Sequence, residues 1–387
     1  MKKIIYFLSG LVLFCLIYVV YNLNIISAYL NGKPESIKRT SFVNNKKLPA
    51  DTGFVFPKDH GAHNDFNSEW WYYSGNLSVQ NGRKFGYELA IFRIAGTFNA
   101  NTNKNDYPDD QKYMAHFAIT DVADTNFYYK ENLSLSSGIN AGANTNPFKV
   151  WLGDWIVDGN YINNNFLKPN FHIQASTKYY SVDLNLNNLK QLVLQGEKGI
   201  SRKGPAKNDY SHYYSFTRLS TSGKVQVKGV DYNVSGLSWM DHEWSNSEFE
   251  RNDNRWDWFS IQLNNSTEIM FYQLRNKDGG RSIYSKGAII FENGKTRTLR
   301  PEEVKIESVG YWESKIHIRY PSGWKFSVPN RDIFLKLTPF IKNQELELVV
   351  NYWEGAVSVK GKCMNKEISG NGYVELTGYK PEINFLH

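Results

Sequence analysis

Two cysteines, Cys15 and Cys363, are all that the 387 residues contain, so no disulfide can staple the folded part, and Cys363 reads as a small core residue. No Gly-x-Ser-x-Gly elbow occurs, which removes serine hydrolysis on a strained strand-to-helix turn. The glycines near Gly279 and Gly280 lack a following helix and Lys-Ser/Thr pair, so nucleotide use is not expected, and neither is any other cofactor. Lys and Arg (45) outnumber Asp and Glu (38), for a net charge of +7, yet the basic residues are scattered along the chain. Without a basic patch or stripe, nucleic acid is not an expected partner. A sustained 3.6-residue period is also missing beyond the N-terminus; only short pieces near Pro301–Val304 and around Asn330 read as helical.

What the chain does have is aromatic residues, 15% of the total, in short alternating runs. YYSGNLSV, GYELAIFRI, KYMAHFAITD, FHIQAST, YYSVDLNL, WDWFSIQL, EIMFYQL and KIHIRY read as strands. Asn81-Gly82, Ser222-Gly223, Asp278-Gly279-Gly280 and Asn293-Gly294 read as turns between them. The expected class is all-β with antiparallel up-and-down connections. Barrels are preferred over open sandwiches because closure removes the edges of so many strands.

The aromatic pattern repeats. Trp70, Tyr72, Tyr73, Ser74 and Leu77 match Trp256, Trp258, Phe259, Ser260 and Leu263 in type and spacing, and Leu89–Arg93 resembles Phe271–Arg275. Two related β units are therefore expected, at 51–245 and 246–387. Ahead of them, Lys2 and Lys3 precede a run of about 17 mostly apolar residues from Ile4, which reads as a signal or membrane anchor over 1–26. Residues 27–50 are polar and read as a tether. This places the folded body in the cell envelope, exported or membrane-anchored.

Two polar clusters are candidates for chemistry. In Asp241-His242-Glu243-Trp244 an imidazole stands between two carboxylates, and strand alternation sends Asp241 and Glu243 to one face and His242 and Trp244 to the other. Such a histidine can act as general acid or base, and the same groups can equally tie two barrels together. His60, His63, Asp65 and Glu69 form the second cluster; a polar lid, with Glu69 accepting backbone hydrogen bonds, is preferred to a metal site, and no metal is assigned. Trp70 and Tyr72 should face one side of their strand and Trp71 and Tyr73 the other, offering rings either to a core or to a flat lipophilic ligand. His116 lies on an alternating strand as an interior or ligand-facing histidine. Arg93 and Arg275, at matching places in the two units, read as structural.

DHGAH, SEWWYYSGNL, the AHFAITD run at Ala115–Asp121 and GLSWMDHEW together resemble the carotenoid 1,2-hydratase and AttH-like family over roughly residues 54–380. The resemblance implies two lipocalin-like barrels side by side, an apolar small-molecule partner, and hydration or cyclisation of lipophilic polyenes. The His-x-Trp of the hydratase branch falls on His242 and Trp244. The Tyr-x-Asp that supplies its acid falls on Tyr272, Gln273 and Leu274, so a leucine occupies the acid position; Asp257 or Asp278 could substitute. The expected set is His242 as acid or base with Asp241, Glu69 as partner charge and Tyr272 as proton donor. Trp244, Trp239, Trp70, Tyr72 and His116 would line the ligand site. The competing expectation is a carrier that binds a lipid or pigment and transforms nothing.

Overall fold

The computed structural model describes residues 53–95, 111–135, 138–161, 165–247 and 255–380. The expected anchor and tether lie outside them, and no helix among the described residues is long and apolar enough to cross a membrane. The first unit contributes β1 (Ser68–Ser78), β2 (Lys84–Ala95), β3 (Gln111–Asp121), β4 (Asn126–Ser134), β5 (Ala141–Thr145), β6 (Phe148–Leu152) and β7 (Trp155–Asn160). It continues with β8 (Asn170–Ser176), β9 (Tyr180–Asn188), β10 (Val193–Leu194), β11 (Ile200–Arg202), β12 (Tyr210–Val227) and β13 (Val230–Ser245). The second contributes β14 (Trp256–Leu263), β15 (Glu268–Leu274), β16 (Lys286–Ile290), β17 (Thr296–Leu299), β18 (Lys305–Ser308), β19 (Tyr311–Glu313) and β20 (Arg319–Pro321). It ends with β21 (Trp324–Val328), β22 (Ile333–Pro339), β23 (Glu345–Leu346), β24 (Tyr352–Cys363) and β25 (Lys366–Leu376).

These strands build two large antiparallel sheets and a small ribbon, β19–β20. In the first sheet the opening strand β1 pairs with its successor β2 and with the closing strand β13; in the second, β14 pairs in the same way with β15 and β25. The first ladder runs from β4 round to β5 and the second from β17 round to β18. In each case the two edge strands are consecutive in the chain and joined by a short segment, so each sheet must curl back until its edges nearly meet. The sequence repeat thus has a counterpart in topology, down to the gap after the fourth strand.

Burial explains the aromatic density. In β9 only Tyr180, Val182, Leu184, Leu186 and Asn188 are buried, because that strand faces solvent on one side. In β1 the whole run Trp71–Gly75 is buried, because one face lines the first sheet's interior and the other packs on the second sheet. Tyr72, Ala90, Tyr213 and Trp239 from the first sheet join Trp258, Met270, Tyr272, Leu274 and Tyr373 from the second in one apolar cluster at the junction. Polar clamps reinforce it. Lys190 Nζ reaches Glu268 Oε2 at 2.6 Å, the Arg218 guanidinium bonds the same carboxylate, and Gln262 Nε2 donates to the carbonyls of Thr217 (2.8 Å) and Ser238 (2.9 Å).

Helix is confined to single 3-10 turns among the described residues, and two of them, Pro301–Glu303 and Pro329–Arg331, fall where short helical pieces were expected. Two local expectations fail. Ser222-Gly223 is not a turn but part of β12; a Cβ on Gly223 would sit 2.1 Å from the Asp183 carbonyl oxygen, so the glycine serves close strand approach, and the hairpin turn falls at Lys228-Gly229 instead. The run KIHIRY is not one strand: His317 has φ of 62° in a tight turn, and only its end belongs to β20.

Candidate functional site

Strand β13 has polar chemistry on both faces. His242 and Trp244 point into the interior of the first sheet, while Trp239, Asp241 and Glu243 point toward the second. The hydratase-like motif is therefore split between two environments separated by one thickness of backbone.

On the interior face, the His242 ring stacks on Trp71 with centroids 4.7 Å apart, and its Nε2 lies 2.8 Å from Glu69 Oε1. His63 Nδ1 reaches the same oxygen at 2.6 Å, and the His63 backbone N–H donates to Glu69 Oε2 at 2.8 Å, the loop-to-carboxylate bond expected from the sequence. Arg93 Nε also donates to Oε2, at 2.7 Å, and the guanidinium continues to Gln111 and to the Phe66 carbonyl. On its other nitrogen His242 meets the Tyr214 hydroxyl (2.8 Å), which meets His60 Nδ1 (2.7 Å), whose Nε2 donates to the Phe166 carbonyl at 2.8 Å. Trp244 lies sandwiched between the parallel rings of His63 and His212, under Phe54. Burial pushes His60 and His242 down to about 4. Burial also opposes charge on His63, but its bonds to Asp59 and Glu69 prevail and raise it. Burial alone would raise Glu69, yet its bonds to His242 and His63 hold it far below the carboxylate range. Among the described residues, His63, Glu69 and His242 are the one trio whose metal-type donor atoms all lie within 4.8 Å of one another.

The other face lies at the junction of the sheets. Asp241 accepts from Ser215, from Trp239 Nε1 (2.8 Å) and from the Tyr213 hydroxyl (2.8 Å), which itself accepts from Trp258 Nε1 (3.2 Å). Glu243 takes the Ser211 hydroxyl and Lys203 Nζ (2.8 Å); Lys203 also lies 4.0 Å above the Tyr272 ring, whose hydroxyl bonds Ser201 at 2.7 Å. Further along are three more carboxyls. Glu354 on β24 stands directly opposite Glu375 on β25 and accepts from the Tyr72 hydroxyl at 3.0 Å. Glu88 on β2 is fully buried with neither carboxyl oxygen in a well-aligned hydrogen bond among the described residues; the Ala90 amide is the one backbone donor favouring its charged form. Burial raises Asp241 and Glu375 to about 7, and burial together with Glu375 raises Glu88 and Glu354 well above the carboxylate range. Half-buried Trp70, Phe92 and Trp256 pack against this cluster. At the far end of the junction a cleft of about 240 Å³ opens among Leu77, Leu237, Leu263 and Phe340.

The expected residues thus separate. His242, Glu69 and Trp244 meet inside the first sheet; Asp241, Tyr272, Trp239, Trp70 and Tyr72 lie at the junction, so Tyr272 does not pair with His242. His116 lies between the sheets, bonded to the Tyr352 hydroxyl and, at 3.1 Å, to Glu131. Leu274 belongs to the junction cluster. Neither alternative acid reaches it: Asp278 accepts from the Gly280 amide in an exposed turn, and Asp257 is held by Arg275 (3.2 Å) and the Tyr379 hydroxyl (3.0 Å). Arg93 makes buried hydrogen bonds to Glu69, Gln111 and the Phe66 carbonyl, and Arg275 stacks 3.9 Å over Tyr379. Glu88, Glu354 and Glu375 were not singled out from sequence. The signal was there: a single acid inside an apolar run, in YELAIF, YWEGAV and YVEL.

Residues 47–379 match the AttH-like family profile. The crystal structure of an AttH-type protein from Nitrosomonas europaea is similar at a TM-score of 0.73 and 30% identity, covering 86% of this chain and 99% of that one. Kievitone hydratase from Nectria haematococca shares the fold at a TM-score of 0.63 and 16% identity, over 86% of this chain and 94% of its own. Kievitone hydratase from Fusarium solani subsp. phaseoli is 20% identical over 210 residues, 52% of this chain and 58% of that relative, little more than half its length. The match across most of the chain, carried by two curled antiparallel sheets of this topology, shows that the protein belongs to the AttH-like family.

Proposed function

We propose that the protein is a hydratase adding water across a double bond of a hydrophobic, unsaturated small molecule held at the junction of the two sheets. The observation that carries this reading is the placement of Asp241 and Glu375 beside the rings of Tyr213, Trp256 and Trp258, at the junction where Leu274 replaces the acid implied by resemblance. Protonating an isolated alkene requires a carboxyl that still holds its proton near neutral pH, and burial supplies it here. The carboxyl gives its proton to one alkene carbon, aromatic faces stabilise the cation on the other, and water adds there and returns a proton to the carboxylate. The hydratases among the relatives support the reaction class. The apolar run from Ile4 supports an envelope location for this activity, with that segment as anchor.

The test is incubation with isoprenoid and polyene alkenes in ¹⁸O-labelled water, read by mass spectrometry. Wild type should yield product heavier by one labelled water. Asp241→Asn or Glu375→Gln should slow turnover roughly 10²- to 10⁴-fold while remaining folded. Tight retention of the alkene without conversion identifies a carrier instead, and unchanged rates in both variants refute these two acids.

A further inference from the structure

We propose that His63 Nδ1, Glu69 Oε1 and His242 Nε2 form a binding site for one divalent transition ion of the zinc type, inside the first sheet and separate from the junction. The three atoms come from the loop before β1, from β1 and from β13, and converge within 4.8 Å. Two imidazoles and one carboxylate are a donor set that zinc favours, with positions left open for water.

The proton count of the surrounding network gives an independent reason. The Phe166 carbonyl can only accept, so His60 Nε2 carries a hydrogen; a neutral His60 then accepts at Nδ1 from the Tyr214 hydroxyl. The tyrosine oxygen must in turn accept from His242 Nδ1–H. His242 Nε2 is left as a bare lone pair, facing a carboxylate oxygen 2.8 Å away. His63 Nδ1 lies 2.6 Å from the same oxygen, a contact that a proton on Nδ1, or a metal ion in its place, holds together, while Nε2 lies 3.4 Å from Asp59 Oδ1. Both N···O contacts on Glu69 Oε1 need positive charge between the atoms, supplied by protons or by a metal ion. One divalent ion satisfies both at once.

The outer contacts are those that orient metal ligands. Asp59 and the Trp244 ring fix His63, Tyr214 fixes His242, and Arg93 with the His63 amide occupies Glu69 Oε2, leaving Oε1 as the ligating atom. Glu69 and Asp59 against Arg93 leave one negative charge beside the two imidazoles, which a divalent ion offsets. Ligands of tetrahedral zinc stand about 3.3 Å apart, so the two N···O contacts open by about 0.5–0.7 Å on binding. His63, with a side chain 13% exposed, is the ligand on the side that yields and admits the ion.

Isothermal titration of chelator-treated full-length protein with zinc chloride, with magnesium chloride as comparison, tests the site. One zinc per chain is expected, without matching magnesium binding. His63→Ala, at the accessible edge and checked for fold by circular dichroism, should weaken zinc at least about 100-fold, as should Glu69→Gln, while His317→Ala at the exposed His317–Glu313 pair changes nothing. Absence of stoichiometric zinc uptake, uptake that survives His63→Ala, or equal uptake of magnesium overturns the proposal, and the two contacts on Glu69 Oε1 are then bridged by protons.

Discussion

Replacing Glu375 by Gln should make the protein more stable above neutral pH and leave it unchanged in mild acid. The folded protein holds Glu375 at about 7 against an ordinary 4.5, because burial disfavours its charged form and the charges of Glu243 and Asp241 add to the effect. Between those two values the folded state keeps a proton that the unfolded chain has released. Stability is therefore unaffected below about pH 4.5, falls as pH climbs to about 7, and is level beyond. At about 1.36 kcal/mol per pH unit across that window the loss is roughly 3 kcal/mol, and partial exposure of Glu375 reduces it to about 2 kcal/mol. The glutamine cannot ionise and keeps an oxygen for the bond from Trp256. At pH 8 the variant should then melt roughly 3 °C above wild type, with the two converging at pH 4.5. Thermal unfolding at pH 4.5, 6 and 8 measures this. A variant whose pH profile runs parallel to wild type, or which is less stable at pH 8, refutes the idea that Glu375 is protonated by the fold.

Three other substitutions probe the frame around the two sites. Glu268→Gln removes the carboxylate shared by Lys190 and Arg218 and leaves two buried cations across the sheet contact; a loss of about 3–5 kcal/mol is expected in urea unfolding at pH 7. Arg93→Met leaves the Glu69 carboxylate buried without its guanidinium partner and should cost about 3–5 kcal/mol, whereas the double variant Arg93→Met with Glu69→Gln should recover part of that loss. A side chain at Gly86 would begin 2.6 Å from the Ala356 Cβ on the second sheet, so Gly86→Val should wedge the sheets apart, cost about 1–3 kcal/mol, and increase fluorescent-dye binding to the exposed junction.

Much of the fold was legible because strand periodicity is local: the run of rings at Trp70–Tyr73 announces a strand covered on both faces, and the same spacing at Trp256–Phe259 announces a second unit. The separation of Asp241 from His242 was legible for the same reason. What the sequence hid was long-range. Nothing near Tyr272 indicates that its hydroxyl finds Ser201 rather than His242, because that depends on which face of the second sheet meets the first. Glu354 and Glu375 lie far along the chain from Asp241, and only the pairing of β25 with the opening strand β14, and of β24 with β25, brings them to the junction. KIHIRY failed for the opposite reason: its alternation is genuine, but His317 in a left-handed turn interrupts it.

Strand β13 acts as a party wall. Its odd positions, 239, 241 and 243, furnish one room, and its even positions, 242 and 244, the other, with no side chain belonging to both. A lineage can therefore redecorate the junction for a new substrate by substituting odd positions alone while the inner chamber keeps its furniture, and the reverse holds equally. The same arithmetic makes a single inserted or deleted residue in this strand far more disruptive than any substitution, since it would turn both rooms inside out at once.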